Sequence, residues 1–222
     1  MSNGEIARTV AKASVIIFDF DGPLCDVFAG HPAWRVARSL EGLLGISVDS
    51  DDPLEVLRTA QTFPHSTLWE VERALIAAEL TAVACSTPTP GGLDALRACI
   101  ASGRTPAVVS NNSADAVRAF FDRAEMPDAV KVIVGREPAR PELMKPHPWP
   151  MRQALEVLGV AAGNAAFVGD TSTDLEVAAI VGTPCLAYAN KPGKREQFED
   201  AGAAVVFEDM YALADGLART RL

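Results

Sequence analysis

Lysine is scarce in this chain: five residues in all, and none between 27 and 87. Histidine is scarcer, with three, and aromatic residues make up only 6%. The four cysteines, Cys25, Cys85, Cys99 and Cys185, lie far apart and form no C-x-x-C pair. That spacing argues against a zinc framework or a disulfide scaffold and predicts reduced thiols in a cytoplasmic protein. No apolar run reaches the roughly 18–20 residues that cross a membrane. The opening MSNGEIARTVAKAS has no apolar core, so it does not read as a signal peptide. There is no internal repeat and no low-complexity tract. Positive charge is also in deficit. The net charge is −9 and the pI is near 4.8. This balance argues against general binding to nucleic acid or to an anionic membrane. An anionic ligand would have to be drawn in by local cations.

What remains is a chain of 222 residues, 49% apolar and 22% charged, enough for one large domain or one domain with a smaller companion. Short apolar runs at 14–20, 105–110, 131–134, 165–170, 184–189 and 203–208 read as buried parallel strands. Stretches at 91–102, 113–125, 149–159 and 171–182 have helical apolar spacing. Ser113 is placed to cap the second, and Gly159 and Gly182 to end the last two. This alternation predicts an α/β fold, a Rossmann-like doubly wound parallel sheet.

One region breaks the pattern. From Val27 to Thr87 only helices are expected, at 31–45, 52–63 and 66–85. About 60 residues of helix exceed an ordinary crossover. The expected organisation is a core of residues 1–26 and 88–222, with 27–87 as a small inserted α-helical cap domain and 86–92 as the return linker. The alternative is extra helices packed on the sheet edge.

Ligands of open α/β sheets bind at the carboxyl ends of the strands. The first strand ends in Asp19 and Asp21, which alternation puts on one face, away from Phe18 and Phe20. Two close anions resist burial unless something compensates. The second core strand delivers Ser110, Asn111 and Asn112. The strand at 165–170 delivers Asp170 and, one helical turn on, Asp174. Lys145 stands before a proline in ELMKPHPWP. Carboxylates gathered at one edge suit a hard divalent cation, most simply Mg²⁺. Lys145 and the Ser110 hydroxyl suit phosphate oxygens. A carboxylate beside such a cation and phosphate can attack in line, and the acid two residues on can protonate the leaving oxygen.

Four motifs in this order, DFDGPL, SNN, KPHP and GDTSTD, resemble those of the haloacid dehalogenase superfamily. The likeness covers 14–208 and is nearest to its helical-cap branch of phosphoglycolate phosphatase-like enzymes. The resemblance implies a Mg²⁺-dependent phosphatase acting on a small phosphorylated metabolite, phosphoglycolate-like or a sugar phosphate, through an aspartyl-phosphate. It makes Asp19 the nucleophile and a metal ligand, and Asp21 the general acid/base with its carbonyl on the metal. Ser110 and the Asn111 backbone would bind the phosphoryl group, and Lys145 would neutralise phosphate and Asp19. Asp170 would be a direct metal ligand. Asp174 would orient water or Lys145 from the second layer, unless it is an ordinary first-turn helix residue. Asp21 argues against a dehalogenase, and the lysine-free insertion argues against imine chemistry. A sugar-phosphate mutase fits His31 but lacks its cap lysine. From other classes, a phosphorelay receiver module fits poorly, since no Asp ends KVIV, and a catalytically silent binding module is disfavoured by the complete acid set. In the insertion, packing or solvation is the favoured reading of His31, Trp34, Arg35, His65, Trp69 and Arg73 over substrate contact, and so too for His147 and Trp149 beside Lys145.

Overall fold

The computed structural model describes residues 3–222. Helix α1 (Asn3–Val10) leads into β1 (Val15–Phe18), whose four residues VIIF are all buried. A two-residue strand β2 (Cys25–Asp26) follows. Three helices come next: α2 (Ala33–Leu44), α3 (Pro53–Ala60) and α4 (His65–Ala84). The chain returns through β3 (Thr87–Pro88) and then alternates: α5 (Gly92–Ala101), β4 (Thr105–Val109), α6 (Ala114–Arg123), β5 (Val132–Val134), α7 (Trp149–Leu158), β6 (Ala165–Gly169), α8 (Ser172–Val181), β7 (Cys185–Tyr188), α9 (Lys194–Asp200), β8 (Val205–Phe207) and α10 (Met210–Ala218).

Six strands form one parallel sheet in the order β5-β4-β1-β6-β7-β8. The alternation of β1 divides the core. Ile16, Phe18 and Phe20 pack with side chains of α1, α5, α6 and α10. Val15 and Ile17 pack with those of α7, α8 and α9 on the other face. Both faces are therefore covered, as a parallel sheet requires. The expected first strand is shorter than its apolar run, because it ends at Phe18. Asp19 N still donates to Val168 O at 2.8 Å, so the residue stays fixed to β6.

Helices α2, α3 and α4 build an apolar cluster of their own. Val36, Leu40 and Leu44 recur at the spacing of one helix face and meet Val56, Leu57, Leu68, Val71 and Leu75. Asp52 caps α3 by accepting from Leu54 N at 2.9 Å, with Pro53 in the first turn. The chain enters and leaves this helical unit side by side: β2 and β3 pair antiparallel, Cys25 with Pro88 and Asp26 with Thr87. Ser113 caps α6, and Gly159 and Gly182 end α7 and α8 in the left-handed conformation, as the sequence suggests. No helix among the described residues is long and apolar enough to cross a membrane.

Candidate active site

The carboxyl ends of β1, β4 and β6 face the helical unit across a cleft of about 990 Å³. Asp19, Asp21, Ser110, Asn111, Lys145 and Asp170 all line it. Asp174 lies just behind, fully buried.

Asp19 Oδ1 accepts from its neighbour's backbone, Phe20 N, at 2.7 Å, and stands 2.9 Å from Lys145 Nζ. Lys145 is buried, and its ammonium also reaches Asp174 Oδ1 at 2.6 Å. Burial pushes the Asp19 carboxyl up to about 8, against the pull of Lys145, and Asp174 and Asp170 push the same way. Burial alone would depress Lys145, but Asp174 and Asp19 carry it above its ordinary value, so it remains an ammonium. Asp21 is turned differently. Its Oδ1 caps Val27 N at 3.0 Å, and burial raises its carboxyl to about 7.

Asp174 is occupied on both oxygens. Oδ2 accepts from Asp170 N at 3.1 Å, Thr171 N at 3.0 Å and Thr171 Oγ1 at 2.7 Å, while Oδ1 holds Lys145. Gly169 makes room for it, since a Cβ there would lie 2.5 Å from Asp174 Cγ. Asp174 is thus a clamp between Lys145 and the start of α8.

The carboxylates of Asp19, Asp170 and Asp174 offer oxygens within 4.8 Å of one another. Asp170 Oδ2 accepts from Asn190 Nδ2 at 2.9 Å and from Lys194 Nζ at 2.8 Å. Among the described residues its Oδ1, buried, has no partner. Gly22, at φ +105°, passes so near that a Cβ would sit 2.4 Å from Asp170 Cγ. An all-oxygen donor set with one orphaned buried carboxylate oxygen fits a hard cation. The side-chain cluster has Asp174 in it and not Asp21, whose expected part in metal binding was through its carbonyl.

Two expected contacts are placed with a twist. Ser110 Oγ donates inward to Asn112 Oδ1 at 3.2 Å and accepts from Asn112 N at 3.1 Å, so its hydroxyl must turn to meet a phosphate. Asn111 spends its side chain on the Lys145 backbone: Oδ1 accepts from Lys145 N at 2.8 Å and Nδ2 donates to Lys145 O at 3.2 Å. On the helical side the cleft is lined by Phe28, Ala33, Leu54, Glu55, Arg58 and Leu75. None of His31, Trp34, Arg35, His65, Trp69, Arg73, His147 and Trp149 is among its lining residues. Sequence reasoning missed Asn190 and Lys194. The strand-end rule, applied to β7 as it was to β1, would have pointed at the segment NKPGK that follows it.

Residues 13–182 match the haloacid dehalogenase-like hydrolase family. The chain belongs to that family. It is 30% identical to a phosphoglycolate phosphatase of Rhodospirillum rubrum over 82% of this chain and 70% of that protein. It is 25% identical to a phosphoglycolate phosphatase of Pseudomonas syringae pv. tomato over 91% of this chain and 79% of that one. The structure superposes on that of CbbY from Rhodobacter sphaeroides in complex with phosphate with a TM-score of 0.72, at 22% identity, over 92% of this chain and 99% of the other. The hydrolase is therefore an enzyme of the phosphatase class with this family's α/β fold.

Proposed function

We propose that this hydrolase is a Mg²⁺-dependent phosphatase of a small phosphorylated metabolite, working through an aspartyl-phosphate on Asp19. The observation that carries this is Asp19 itself, buried at the end of β1 with an ammonium 2.9 Å away and the orphaned Asp170 oxygen in the same cluster. Lys145 and Phe20 N hold Oδ1, which leaves Oδ2 as the attacking atom. Asp19 forms the O–P bond as the ester P–O bond breaks, and Asp21 passes its proton to the leaving oxygen. Asp21, now a carboxylate, takes a proton from water as that water attacks phosphorus, and phosphate leaves with Asp19 restored. A carboxyl poised near 7 suits both halves of that exchange. Lys145 neutralises charge on Asp19 and on the phosphoryl oxygens, and Ser110 donates to them. The Asp19 and Asp170 carboxylates with the Asp21 carbonyl would hold Mg²⁺, which supplies positive charge against the phosphoryl group and would keep Asp19 ionised for attack, against the burial that raises its carboxyl to about 8 without a cation.

Residues 27–87 serve in this proposal as the cap that closes the cleft over the substrate's organic end. The relatives named phosphoglycolate phosphatase support a phosphoglycolate-like substrate, and a sugar phosphate is the other candidate. Against the mutase alternative stand the lysine-free insertion and a His31 that is not among the residues lining the cleft. Four unpaired thiols, three of them buried, support a cytoplasmic setting. The test is turnover of a panel of phosphomonoesters, including phosphoglycolate and hexose phosphates, with Mg²⁺ and with chelator, beside Asp19→Asn. The variant should lose more than ~1000-fold if chemistry limits the rate. Equal rates in chelator, or retention of most activity by the variant, would refute the mechanism.

A further inference from the structure

A second buried charge cluster joins the helical unit to the phosphate-binding segment. Arg136, two residues past β5, is buried together with Glu72 and Glu79, which lie two turns apart on one face of α4. Arg136 Nε and Nη2 donate to Glu72 Oε1 at 3.0 and 2.8 Å. Nη1 donates to Glu79 Oε1 at 2.7 Å, and Nη2 to Glu79 Oε2 at 3.4 Å. The fifth bond leaves the cluster, from Nη1 to Asn111 O at 2.7 Å. Glu79 reaches the same segment, accepting from Ser113 N at 3.0 Å, at the positive end of α6, and from Asn112 Nδ2 at 3.4 Å.

Two acids against one base leave a buried net charge of −1, an arrangement that is weak evidence for stability by itself. Its contacts with the core fall on Asn111, Asn112 and Ser113, besides Ala139 N on Glu72 at 3.2 Å. Asn112 holds the Ser110 hydroxyl, and the Asn111 side chain grips the backbone of Lys145 on both sides. A continuous line of bonds therefore runs from α4 through Arg136 and Asn111 to Lys145 and Asp19.

We infer that Arg136, oriented by Glu72 and Glu79, is a positioning residue: through Asn111 it sets where the Lys145 ammonium stands against Asp19. It rests on the phosphatase reading for its catalytic consequence. A guanidinium is required because its five donors are all used, while an ammonium has three.

The test is a double-mutant cycle in the full chain, Arg136→Met, Asn111→Ala and the two together, with a small aryl phosphate as substrate. Inorganic phosphate affinity is measured by calorimetry in parallel. Arg136→Met should lower kcat/KM by about 10- to 100-fold, the scale of misplacing a charge that contacts the nucleophile, and should weaken phosphate binding. The combined variant should be no worse than the more damaged single variant, because both act on one line. Arg136→Lys should restore only part of the loss. A merely structural role would lower the melting temperature without that coupling to Asn111. A folded Arg136→Met within twofold of the parent, or losses that multiply in the combined variant, overturns the inference. If Arg136→Met does not fold, the same cycle is run on Glu72→Gln/Glu79→Gln as parent, which removes the uncompensated acids and decides by the same criteria. The phosphate arm needs no turnover, so failure of the phosphatase reading is distinguishable from failure of the positioning role.

Discussion

Asp174→Asn separates a clamp from a metal ligand. The native carboxylate accepts four hydrogen bonds, three on Oδ2 and the Lys145 ammonium on Oδ1 at 2.6 Å. An amide has one oxygen to offer. Kept toward Asp170 N and Thr171 N, that oxygen leaves an NH₂ facing a buried ammonium. Turned toward Lys145, it abandons the first turn of α8. Removing one partner of a buried ion pair costs about 3–5 kcal/mol. Lys145 retains Asp19 at 2.9 Å and Val109 O at 3.4 Å, so about 3 kcal/mol is expected. For a chain of this size that is a fall of roughly 6–12 °C in melting temperature. The assay is thermal and urea unfolding in chelator, where no cation contributes. Turnover should fall too, since Lys145 is no longer held from both sides. A shift below about 2 °C would refute this account of Asp174, because breaking a buried pair cannot be that mild.

Asp170→Asn should do the reverse: Mg²⁺ affinity by calorimetry falls at least tenfold, while stability in chelator falls by less than in Asp174→Asn, because Lys194, the ion-pair partner of Asp170 at 2.8 Å, is only partly buried and can turn to water. Gly22→Ala should weaken Mg²⁺ binding without removing any donor, because its Cβ would strike the Asp170 carboxylate and displace it, at a φ that L residues resist. The Asp21 carboxyl, raised from 3.8 to about 7, holds its proton up to neutrality and loses it as pH climbs. Turnover of an alkyl phosphate should therefore drop above about pH 7. An aryl phosphate, whose leaving oxygen needs little protonation, should be flatter there, and Asp21→Asn should damage alkyl turnover more than aryl turnover. Equal damage on both esters would mean that Asp21 is not the leaving-group acid.

The parallel sheet was legible because its strands are short apolar runs, and the site because parallel strands deliver their chemistry at one end. Three helices escaped that logic. Helix α9, KREQFED, buries only Phe198 and has no apolar stripe to read. Helix α1 is short, and α10 carries Gly216, an expensive residue in a helix. The fold explains that glycine: a Cβ there would lie 2.5 Å from Ile6 Cγ2, so it lets α1 and α10 close on each other. The residues behind the site were hidden for a different reason from Asn190 and Lys194. Arg136, Glu72 and Glu79 look like ordinary surface charges in an amphipathic context, and only tertiary packing turns them toward one another. Asn111 was expected to offer its backbone to the phosphate, and it lines the cleft. What was not legible is the use of its side chain, whose amide matches the donor and acceptor of the Lys145 backbone, a pairing across 34 residues that no local pattern announces.

The pairing of Cys25 with Pro88 and Asp26 with Thr87 has a consequence for how such a chain can vary. The helical unit departs and returns through adjacent backbone positions, so for the sheet behind it the whole excursion has the footprint of a hairpin turn. Closing a longer loop between the same two points adds only about 0.6 kcal/mol per doubling of length. What is mounted on that ribbon can therefore vary in length at little cost to the strand that presents Asp19. A graft with a different helical unit should leave the sheet intact, provided that the new unit again packs apolar side chains where Ala82 and Val83 join the core around Phe20 and Phe120, and supplies two carboxylates to receive Arg136.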